Sequence, residues 1–464
     1  AQAGDSEKGL KRTLDAKNLI ALGIGAIIGA GLFVRTAAAS SEAAGPAVTL
    51  SFIVAAIGCA FAGLCYAEFA SMIPISGSAY AYSYCTMGEF TAWIIGWALI
   101  LEYALGAATV AIGWSEYLNK LLNGAIPYAW SHSPFEGGIF NAPALIILLL
   151  LTLLLIKGTQ ESAMVNNIIV VLKLTIVLVF IAVGWGFINP ANHSPYMIPP
   201  GTPGHTDFFT YGWGGIMRGA GIVFFAFIGF DAVSTAAQEA KNPAKDMPMG
   251  ILGSLAVCTV LYVLFGHVLT GVANWSEFAK AGKEASVAYA IQTYMHGYGW
   301  LATLITAAIL AGFSSVILVM LLGQSRVFYS MANDGLLPPL FAELHPKFRT
   351  PYKSNWLLFV FVGAFAGFIP GSVAGDLTSI GTLLAFVIVS AGVMSLRKSE
   401  PGLARPFRAP LVPVVPILGM LICSGLIISL DPQTQLTAAA WMAIGLVVYF
   451  TYSRHTSKLN VSGK

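Results

Sequence analysis

The 464-residue sequence predicts an all-α polytopic membrane protein with twelve transmembrane helices. Its composition favours this class, because 57% of the residues are hydrophobic, 10% are charged and the mean hydropathy is +0.76. An ordinary soluble domain carries about 25% charged residues. The N-terminal segment "AQAGDSEKGLKRTLDAKN" is polar and lacks the pattern of a signal peptide, so the first span is expected to stay in the mature chain.

Twelve apolar stretches are long enough to cross a bilayer, which takes about 20 residues of helix. They lie at residues 17–43, 46–73, 89–121, 141–157, 161–188, 212–239, 249–273, 291–331, 354–370, 376–397, 411–430 and 436–454. The third, sixth and eighth stretches also leave room for helical extensions beyond the hydrocarbon.

The distribution of basic residues predicts the orientation of these spans. The termini and the even-numbered loops hold 18 of the 24 lysines and arginines. The odd-numbered loops hold five, which are Arg35, Lys120, Arg218, Lys280 and Lys283, and Lys173 lies alone inside span five. Because basic loops are retained in the cytoplasm, both termini are expected to be cytoplasmic.

Several functional classes lack support in the sequence. No basic or acidic tail indicates nucleic acid as a partner, and no repeated pore motif or charged ring indicates a channel. The histidines are scattered, and neither HExxH nor GxSxG occurs, so no enzyme site and no metal site are expected. The five cysteines (Cys59, Cys65, Cys85, Cys258 and Cys423) lie in or beside apolar runs and are expected to be buried thiols.

Glycines interrupt two of the predicted spans. The stretch "LGIGAIIGAGLF" (22–33) of span one carries four glycines, each costing a helix interior about 1 kcal/mol relative to alanine. In span six, Gly229 precedes Asp231 in "GFD". Glycine-interrupted spans at matching positions of two halves are typical of inverted-repeat transporters that bind substrate at the bilayer midplane. Unwound backbone there exposes amide donors and carbonyl acceptors, which suit the carboxylate and ammonium of an amino acid.

The glycines admit two other interpretations. Close helix packing is an alternative, because "GAIIG" (25–29) also fits the GxxxG pattern. A dinucleotide fingerprint does not fit, since Ile28 stands where the third glycine is needed and the context is a membrane span. A non-transporting scaffold would have no reason to keep two broken helices.

Four longer stretches carry a resemblance to a known family. They are "GIGAIIGAGLF" (23–33), "YAEFASMIPISGSAYAY" (66–82), "FIGFDAVSTAAQEAKNPAKDMPMGI" (227–251) and "GQSRVFYSMANDGLLP" (323–338). With these motifs the chain resembles the amino acid–polyamine–organocation superfamily over nearly its whole length. The "GFD" sequence and "RPFRAPLVPVVP" (405–416) are similar to its cationic amino acid transporter branch.

The resemblance implies a core of five plus five inverted-repeat helices with discontinuous helices 1 and 6. The expected organisation is a cytoplasmic N-terminal segment (1–16), a first repeat (17–188), a second, inverted repeat (212–397), two accessory helices (411–454) and a cytoplasmic tail (455–464). The implied activity is transport of L-amino acids across the plasma membrane by alternating access, driven by H⁺ and needing no other cofactor. An exchanger of the same fold, and a non-transporting amino acid sensor, remain alternatives.

The resemblance also implies which backbone groups bind substrate. The expected set is Ile27, Ile28, Gly29, Ala30, Gly31, Phe225, Ala226 and Ile228. Amides of residues 29–31 would hold the carboxylate, and carbonyls of residues 27, 225 and 228 would hold the ammonium. The Phe225 ring matches an aromatic gate over the substrate. A Gly31→Val variant is expected to fold but to lose binding, because a branched side chain obstructs close approach to the backbone.

Side-chain specificity is expected to come from Glu102, Asp231 and Met320. Glu102 lies in mid-span three, where an acid favours a guanidinium or ammonium group, unless it is a protonated carboxyl bonded to a neighbouring helix. Met320 aligns with a large residue of the pocket wall and would set its depth. These residues favour cationic or small neutral substrates.

Lys173 is expected to carry the coupling proton. It lies about twelve residues into span five, roughly 18 Å from the cytoplasmic start, which is too far for its side chain to reach the interface easily. The resemblance places it between spans one and eight, with Gly25 and Ser314 or Ser315 as neighbours, where sodium-coupled relatives bind their ion. The alternative is a permanently charged lysine paired with Asp231 or Glu102.

Three further ionisable residues fall within the predicted spans. Glu68, near the cytoplasmic end of span two, is expected to be a gate or a hydrogen-bonding residue, or alternatively an interfacial carboxylate that reaches water. Glu239 belongs to the "QEAKNP" turn and is similar. His267, in span seven, fits a hydrogen-bonded packing residue better than a proton relay.

Overall fold

The computed structural model describes residues 14–73, 79–158, 163–203, 207–231, 233, 240–280 and 284–461. Regular secondary structure in these ranges is helical, and extended pairing is limited to the isolated bridges Leu14–Ala240 and Ser131–Asn141. The prediction of an all-α chain is confirmed.

Most α-helices of eight or more residues follow the predicted spans, whereas the helix at 79–86 lies between spans two and three. The helices of this length are α1 (Ala16–Ile27), α2 (Ala30–Ala39), α3 (Val48–Met72), α4 (Ala79–Thr86), α5 (Glu89–Leu121), α6 (Ala142–Lys157), α7 (Ala163–Gly184), α8 (Gly212–Val223), α9 (Pro243–Val272), α10 (Ser286–Tyr294), α11 (Gly299–Asn333), α12 (Tyr352–Phe368), α13 (Gly371–Ser399), α14 (Val414–Ser429) and α15 (Pro432–Val448).

The apolar helices are those of a polytopic membrane protein. Within the described ranges, seven helical stretches are long and apolar enough to cross a bilayer: 30–72, 89–121, 167–187, 243–272, 299–333, 371–399 and 432–456. Shorter apolar helices occupy 16–27, 142–157, 212–227 and 414–429. The count of twelve spans and the inverted repeat stay predictions.

Three sequence-based expectations about these elements are wrong. Span eight does not run unbroken from residue 291, because a turn with Gly297 at φ +87° separates α10 from α11. Arg35 does not lie in a loop but inside α2, where it is 2% exposed. Cys85, in the last turn of α4, is exposed, whereas the other four thiols are buried as predicted.

The 33-residue helix α5 forms the centre of the protein. Gly381 of α13 packs against it so closely that an added Cβ would lie 2.7 Å from the Ala98 carbonyl oxygen. On another side, Trp97 stacks on Trp441 of α15 at 4.5 Å, and each indole N–H donates to the other residue's carbonyl, at 2.7 and 3.1 Å. The helices that carry the candidate site are therefore fixed to a rigid support.

Candidate substrate site

The predicted break in span one is a real interruption of the helix. The first half, α1, ends at Ile27, Ile28 and Gly29 have extended backbone, and α2 begins at Ala30. The break in span six is similar: α8 ends at Val223, a 3₁₀ turn covers Phe224–Phe227, and Ile228 is extended. Gly229 follows at φ +106°, a conformation that favours glycine.

The two breaks lie directly against each other. A Cβ added at Gly31 would lie 2.6 Å from the Ala226 Cα and 2.8 Å from the Phe225 carbonyl oxygen. A Cβ added at Gly229 would lie 2.6 Å from the carbonyl oxygen of Ala26. Glycine is needed at both positions because backbone meets backbone there. Gly31 and Gly229 therefore serve close packing of the two breaks as well as unwinding.

Breaking α1 frees carbonyls that an unbroken helix would use internally. The Ile24 carbonyl still accepts from the Ile28 N–H at 3.0 Å. The carbonyls of residues 25, 26 and 27 have neighbours outside the helix. The Gly25 carbonyl accepts from the Lys173 ammonium at 3.5 Å, and the Ile27 carbonyl accepts from the Tyr262 hydroxyl at 2.9 Å. The Ala26 carbonyl faces Gly229.

Tyr262 of α9 connects the two breaks. Its hydroxyl lies 2.9 Å from the Ile27 carbonyl oxygen and 2.7 Å from that of Ala226, and the residue is fully buried. The ring is held between Phe52 and Phe227, with centroid distances of 5.4 and 5.2 Å. This tyrosine was not among the predicted site residues. A tyrosine in mid-span was the available signal, because a buried hydroxyl needs a partner.

The start of α2 offers amide groups without a side-chain cap. Its N-cap, Gly29, has none, so the first-turn amides at Ala30 and Gly31 lack an intrahelical acceptor. Together with the positive end of the helix dipole, such amides suit a carboxylate. A Cβ at Gly29 would meet its nearest neighbours at 3.9 Å, one of them on Val316 of α11. Gly29 therefore borders space, whereas Gly31 does not.

The structure changes the reasoning for Gly31→Val. The added side chain would collide with the backbone of the span-six break before reaching any substrate. The expectation that this variant folds normally is wrong, because backbone atoms cannot yield as a flexible side chain does. Gly29 is the better position for the same test.

The residues predicted to line the side-chain pocket, Glu102 and Met320, lie on α5 and α11, one helical turn from positions where those helices meet. Met320 lies one helical turn beyond Val316 on α11, and its sulfur would lie 3.0 Å from a Cβ at Gly106. Glu102 is one turn before Gly106 on α5 and is 4% exposed. Asp231 follows the span-six break and is near enough to Glu102 to interact electrostatically. Both acids thus border the same region.

Two tyrosines lie near this acidic region and were also missed, together with a third that packs beside them. Tyr66 and Tyr103 lie near Tyr82 and near the Glu102 and Asp231 carboxylates. The Tyr66 ring meets Tyr82 edge-on at 5.7 Å, and the buried Tyr66 hydroxyl has no hydrogen-bond partner among the described residues. The "YAEFASMIPISGSAYAY" motif contained two of these tyrosines.

Lys173 lies between the first helix and α11. Its ammonium donates to the Gly25 carbonyl at 3.5 Å, and its stem passes 3.4 Å from the position of a Cβ at Gly312. Ser314 hydrogen-bonds elsewhere, donating to the Leu310 carbonyl at 2.9 Å and accepting from the Trp114 indole at 3.2 Å. Ser315 is buried on the adjacent helical position.

The remaining charged residues of the spans hold helices together. Glu68 is fully buried, pairs with the Arg397 guanidinium and accepts from the Ala409 N–H at 2.9 Å. The alternative of a carboxylate that reaches water is therefore wrong. His267 hydrogen-bonds the Tyr196 hydroxyl at 3.2 Å, in keeping with a packing residue. Glu239 lies outside the described residues.

A second buried ion pair joins Arg35 of α2 to Asp376 of α13. Arg35 is 2% and Asp376 8% exposed, and Arg35 also donates to the Gly371 carbonyl at 3.5 Å. Sequence reasoning placed Arg35 in a loop and so missed the pair. An arginine and an aspartate each within an apolar stretch were the available signal.

An all-helical membrane protein in which two helix breaks meet at a buried site belongs to the broken-helix class of carriers. The sequence matches the model of the amino acid permease family over residues 14–451, and the chain belongs to this family. This confirms the resemblance to the larger superfamily.

Several named relatives are similar over most of this chain. A branched-chain amino acid permease, BcaP, of Bacillus subtilis (strain 168) is 46% identical, covering 99% of this chain and 96% of its own length. A methylthioribose transporter of the same organism is 44% identical, covering 99% and 97%. A vacuolar cationic amino acid transporter 4 of Arabidopsis thaliana is 34% identical, covering 86% of this chain and 65% of its own length.

Proposed function

We propose that this chain is a proton-coupled secondary transporter of L-amino acids that works by alternating access in the plasma membrane. The proposal includes twelve spans, a five-plus-five inverted repeat and cytoplasmic termini. The observation that carries it is the meeting of the two helix breaks, which brings the uncapped first turn of α2 beside backbone carbonyls of both breaks. Two of these carbonyls, those of Ile27 and Ala226, lie within hydrogen-bond distance of the Tyr262 hydroxyl. An α-amino acid needs donors for its carboxylate and acceptors for its ammonium.

The proposed substrates are cationic or small neutral amino acids. Glu102 and Asp231 border the side-chain region and favour a cation by charge-assisted hydrogen bonding, whereas Met320 limits its depth. The relatives' names cover branched-chain amino acids, cationic amino acids and methylthioribose, so similarity alone does not select a substrate. Methylthioribose has neither an α-carboxylate nor an α-ammonium and would leave the proposed clamp unused.

Lys173 is the proposed carrier of the coupling proton. As an ammonium it links the freed Gly25 carbonyl to the surface of α11 at Gly312. As a neutral amine it would lose the charge that holds the first helix to α11. Gaining or losing one proton would thus strengthen or weaken the contact between the broken first span and α11.

The test is uptake of labelled amino acids into proteoliposomes with and without an inward pH gradient. Arginine, lysine and alanine should compete, whereas glutamate and methylthioribose should not; glutamate as the best competitor would refute the electrostatic argument. Lys173→Ala should bind amino acid but lose proton-driven accumulation, while Lys398→Ala, which changes an exposed lysine at the end of α13, should keep it. Accumulation by Lys173→Ala under a pH gradient alone would show that Lys173 does not carry the proton.

The clamp is tested with Gly29→Ala. The added methyl group has room, so the protein should fold, but it enters the space beside the α2 amides and should weaken amino acid binding. Normal binding by this variant would contradict the placement of the carboxylate. Uptake that requires amino acid on the inside would instead indicate an exchanger, and binding without any uptake would indicate a sensor.

A further inference from the structure

A basic turn lies at the end of two apolar helices, away from the substrate site. It comprises residues 343–353, between α11 and α12, together with the last residues of α6. Lys157, Lys347 and Arg349 are exposed, and none forms an ion pair within the described ranges. Glu343, the acid in this turn, is already paired with Lys353 at 2.5 Å. Among the described residues, these three positive charges therefore have no acidic partner.

The two parts of this surface are joined by backbone contacts. The Thr350 hydroxyl donates to the Ile156 carbonyl at 2.5 Å. A Cβ at Gly158 would lie 3.4 Å from the Thr350 methyl group and 3.8 Å from the Phe348 carbonyl oxygen. The fold thus brings Lys157 beside a turn that is nearly 200 residues away in sequence. The cluster is built by tertiary structure and is not simply a basic loop.

The turn is ordered by its own hydrogen bonds. The His345 ring nitrogen Nδ1 accepts from the N–H groups of Lys347 and Phe348, both at 3.1 Å. The His345 N–H donates to the Thr350 carbonyl at 2.7 Å, closing the turn. Arg349 is held at φ +57°, a left-handed conformation that disfavours side chains other than glycine.

Apolar side chains continue directly from the basic turn. On α6, Leu153 and Leu154 are 45% and 40% exposed, and at the start of α12, Trp356 and Leu357 are 40% and 46% exposed. In a bilayer these side chains face acyl chains, and tryptophan favours the headgroup level. The basic turn thus places positive charge at the headgroup level, next to an apolar surface. This arrangement suits an anion that carries acyl chains.

We propose that the turn at Lys157, Lys347 and Arg349 binds the headgroup of an anionic phospholipid whose acyl chains lie along α6 and α12. Anionic lipids attract basic side chains at the membrane surface, about fivefold in affinity for each lysine or arginine. Three cations should therefore favour phosphatidylglycerol over phosphatidylcholine by about a hundredfold. The lipid would fasten α6 to α12 at their common end.

The test uses the full chain in detergent micelles containing either phosphatidylglycerol or phosphatidylcholine. Thermal melting and native mass spectrometry should show that phosphatidylglycerol stabilises the wild type and is retained by it. The triple variant Lys157→Gln, Lys347→Gln and Arg349→Gln should lose both effects. Its control removes three exposed basic residues elsewhere, by Lys398→Gln, Arg408→Gln and Arg454→Gln, and should keep both.

Arg349→Gly is the second variant, because glycine relieves the left-handed backbone while removing one charge. It should melt no lower than wild type in phosphatidylcholine and bind phosphatidylglycerol about fivefold more weakly. Equal losses in the control triple variant would overturn the site in favour of general surface charge. If inorganic phosphate stabilised the wild type as much as phosphatidylglycerol does, the assignment of a lipid to this site would be wrong, because the acyl chains would then contribute nothing.

Discussion

Tyr262→Phe should weaken amino acid binding by disconnecting the two helix breaks. The tyrosine hydroxyl lies 2.7 and 2.9 Å from carbonyl oxygens on the two breaks, and it has one proton to donate. Phenylalanine keeps the ring, which Phe52 and Phe227 hold in place. The substitution therefore removes the hydroxyl contacts with little change in packing.

The magnitude follows from the carbonyls left behind. At least one buried carbonyl loses its donor, which costs about 1–3 kcal/mol. Because substrate binds where the two breaks meet, we expect this free energy to be lost from binding. At 1.4 kcal/mol per tenfold change, the dissociation constant should rise roughly 5- to 150-fold. The free energy of unfolding should fall by a similar amount.

Tyr117→Phe is the matched control. Tyr117 is also fully buried, and its hydroxyl donates to the Phe33 carbonyl of α2 at 3.0 Å, beyond the break. Its loss should lower the melting temperature comparably and leave amino acid affinity near the wild-type value. Affinities would be measured by isothermal calorimetry, and stabilities by thermal melting of the purified proteins. Equal affinity of Tyr262→Phe and Tyr117→Phe would refute the role assigned to Tyr262.

Two further predictions concern ionic contacts outside the clamp. Asp376→Asn should destabilise the protein by about 3–5 kcal/mol, because it leaves Arg35 buried without its anionic partner; a loss below about 1 kcal/mol in thermal melting would contradict this. For His132, burial lowers the pKa, but the hydrogen bond and charge of Glu116, 2.8 Å away, outweigh it and raise the pKa above its ordinary value. A raised pKa in the folded state gives stability that is present below the unfolded pKa and lost as pH rises through the folded one. His132→Gln should therefore lower the free energy of unfolding more at pH 5 than at pH 8, with a difference of about 0.5 kcal/mol. Equal losses of stability at both pH values, measured by thermal melting, would exclude the His132–Glu116 pair as the cause.

The fold was predictable because the membrane imposes simple rules on the sequence. An apolar stretch must be helical, since lipid leaves no other partner for backbone groups, and α3, α5 and α6 begin and end within two residues of the predicted spans. Span eight shows the limit of this reasoning. The predicted span starts at residue 291, but "QTYMHGYGW" (292–300) is largely polar and glycine-rich, and the backbone takes a positive φ at Gly297, so the apolar helix begins at Gly299.

The candidate site was predictable where its signal is local in sequence. Repeated glycine in an apolar helix indicated both breaks, and the structure has both. The partners of the broken ends lie on α7 and α9, far along the chain, so no local signal identifies them. Lys173 was placed beside Gly25 only through the family resemblance, and Tyr262 was missed. An isolated Tyr262 or Arg35 reveals a need for a partner but not the identity of that partner.

The two donors that bond the broken ends, Lys173 and Tyr262, differ in a way that has a physical origin. A break frees carbonyls at Gly25 and Ile27, and freed carbonyls in a low-dielectric interior must find donors. The structure supplies one donor that can lose its charge, Lys173, and one that stays neutral, Tyr262. If the proposed coupling is right, the charged donor alone responds to the proton, while the neutral one keeps the two breaks in register throughout the cycle. Loss of Tyr262 should then weaken binding at every pH, whereas loss of Lys173 should remove the pH dependence of transport and leave binding in place.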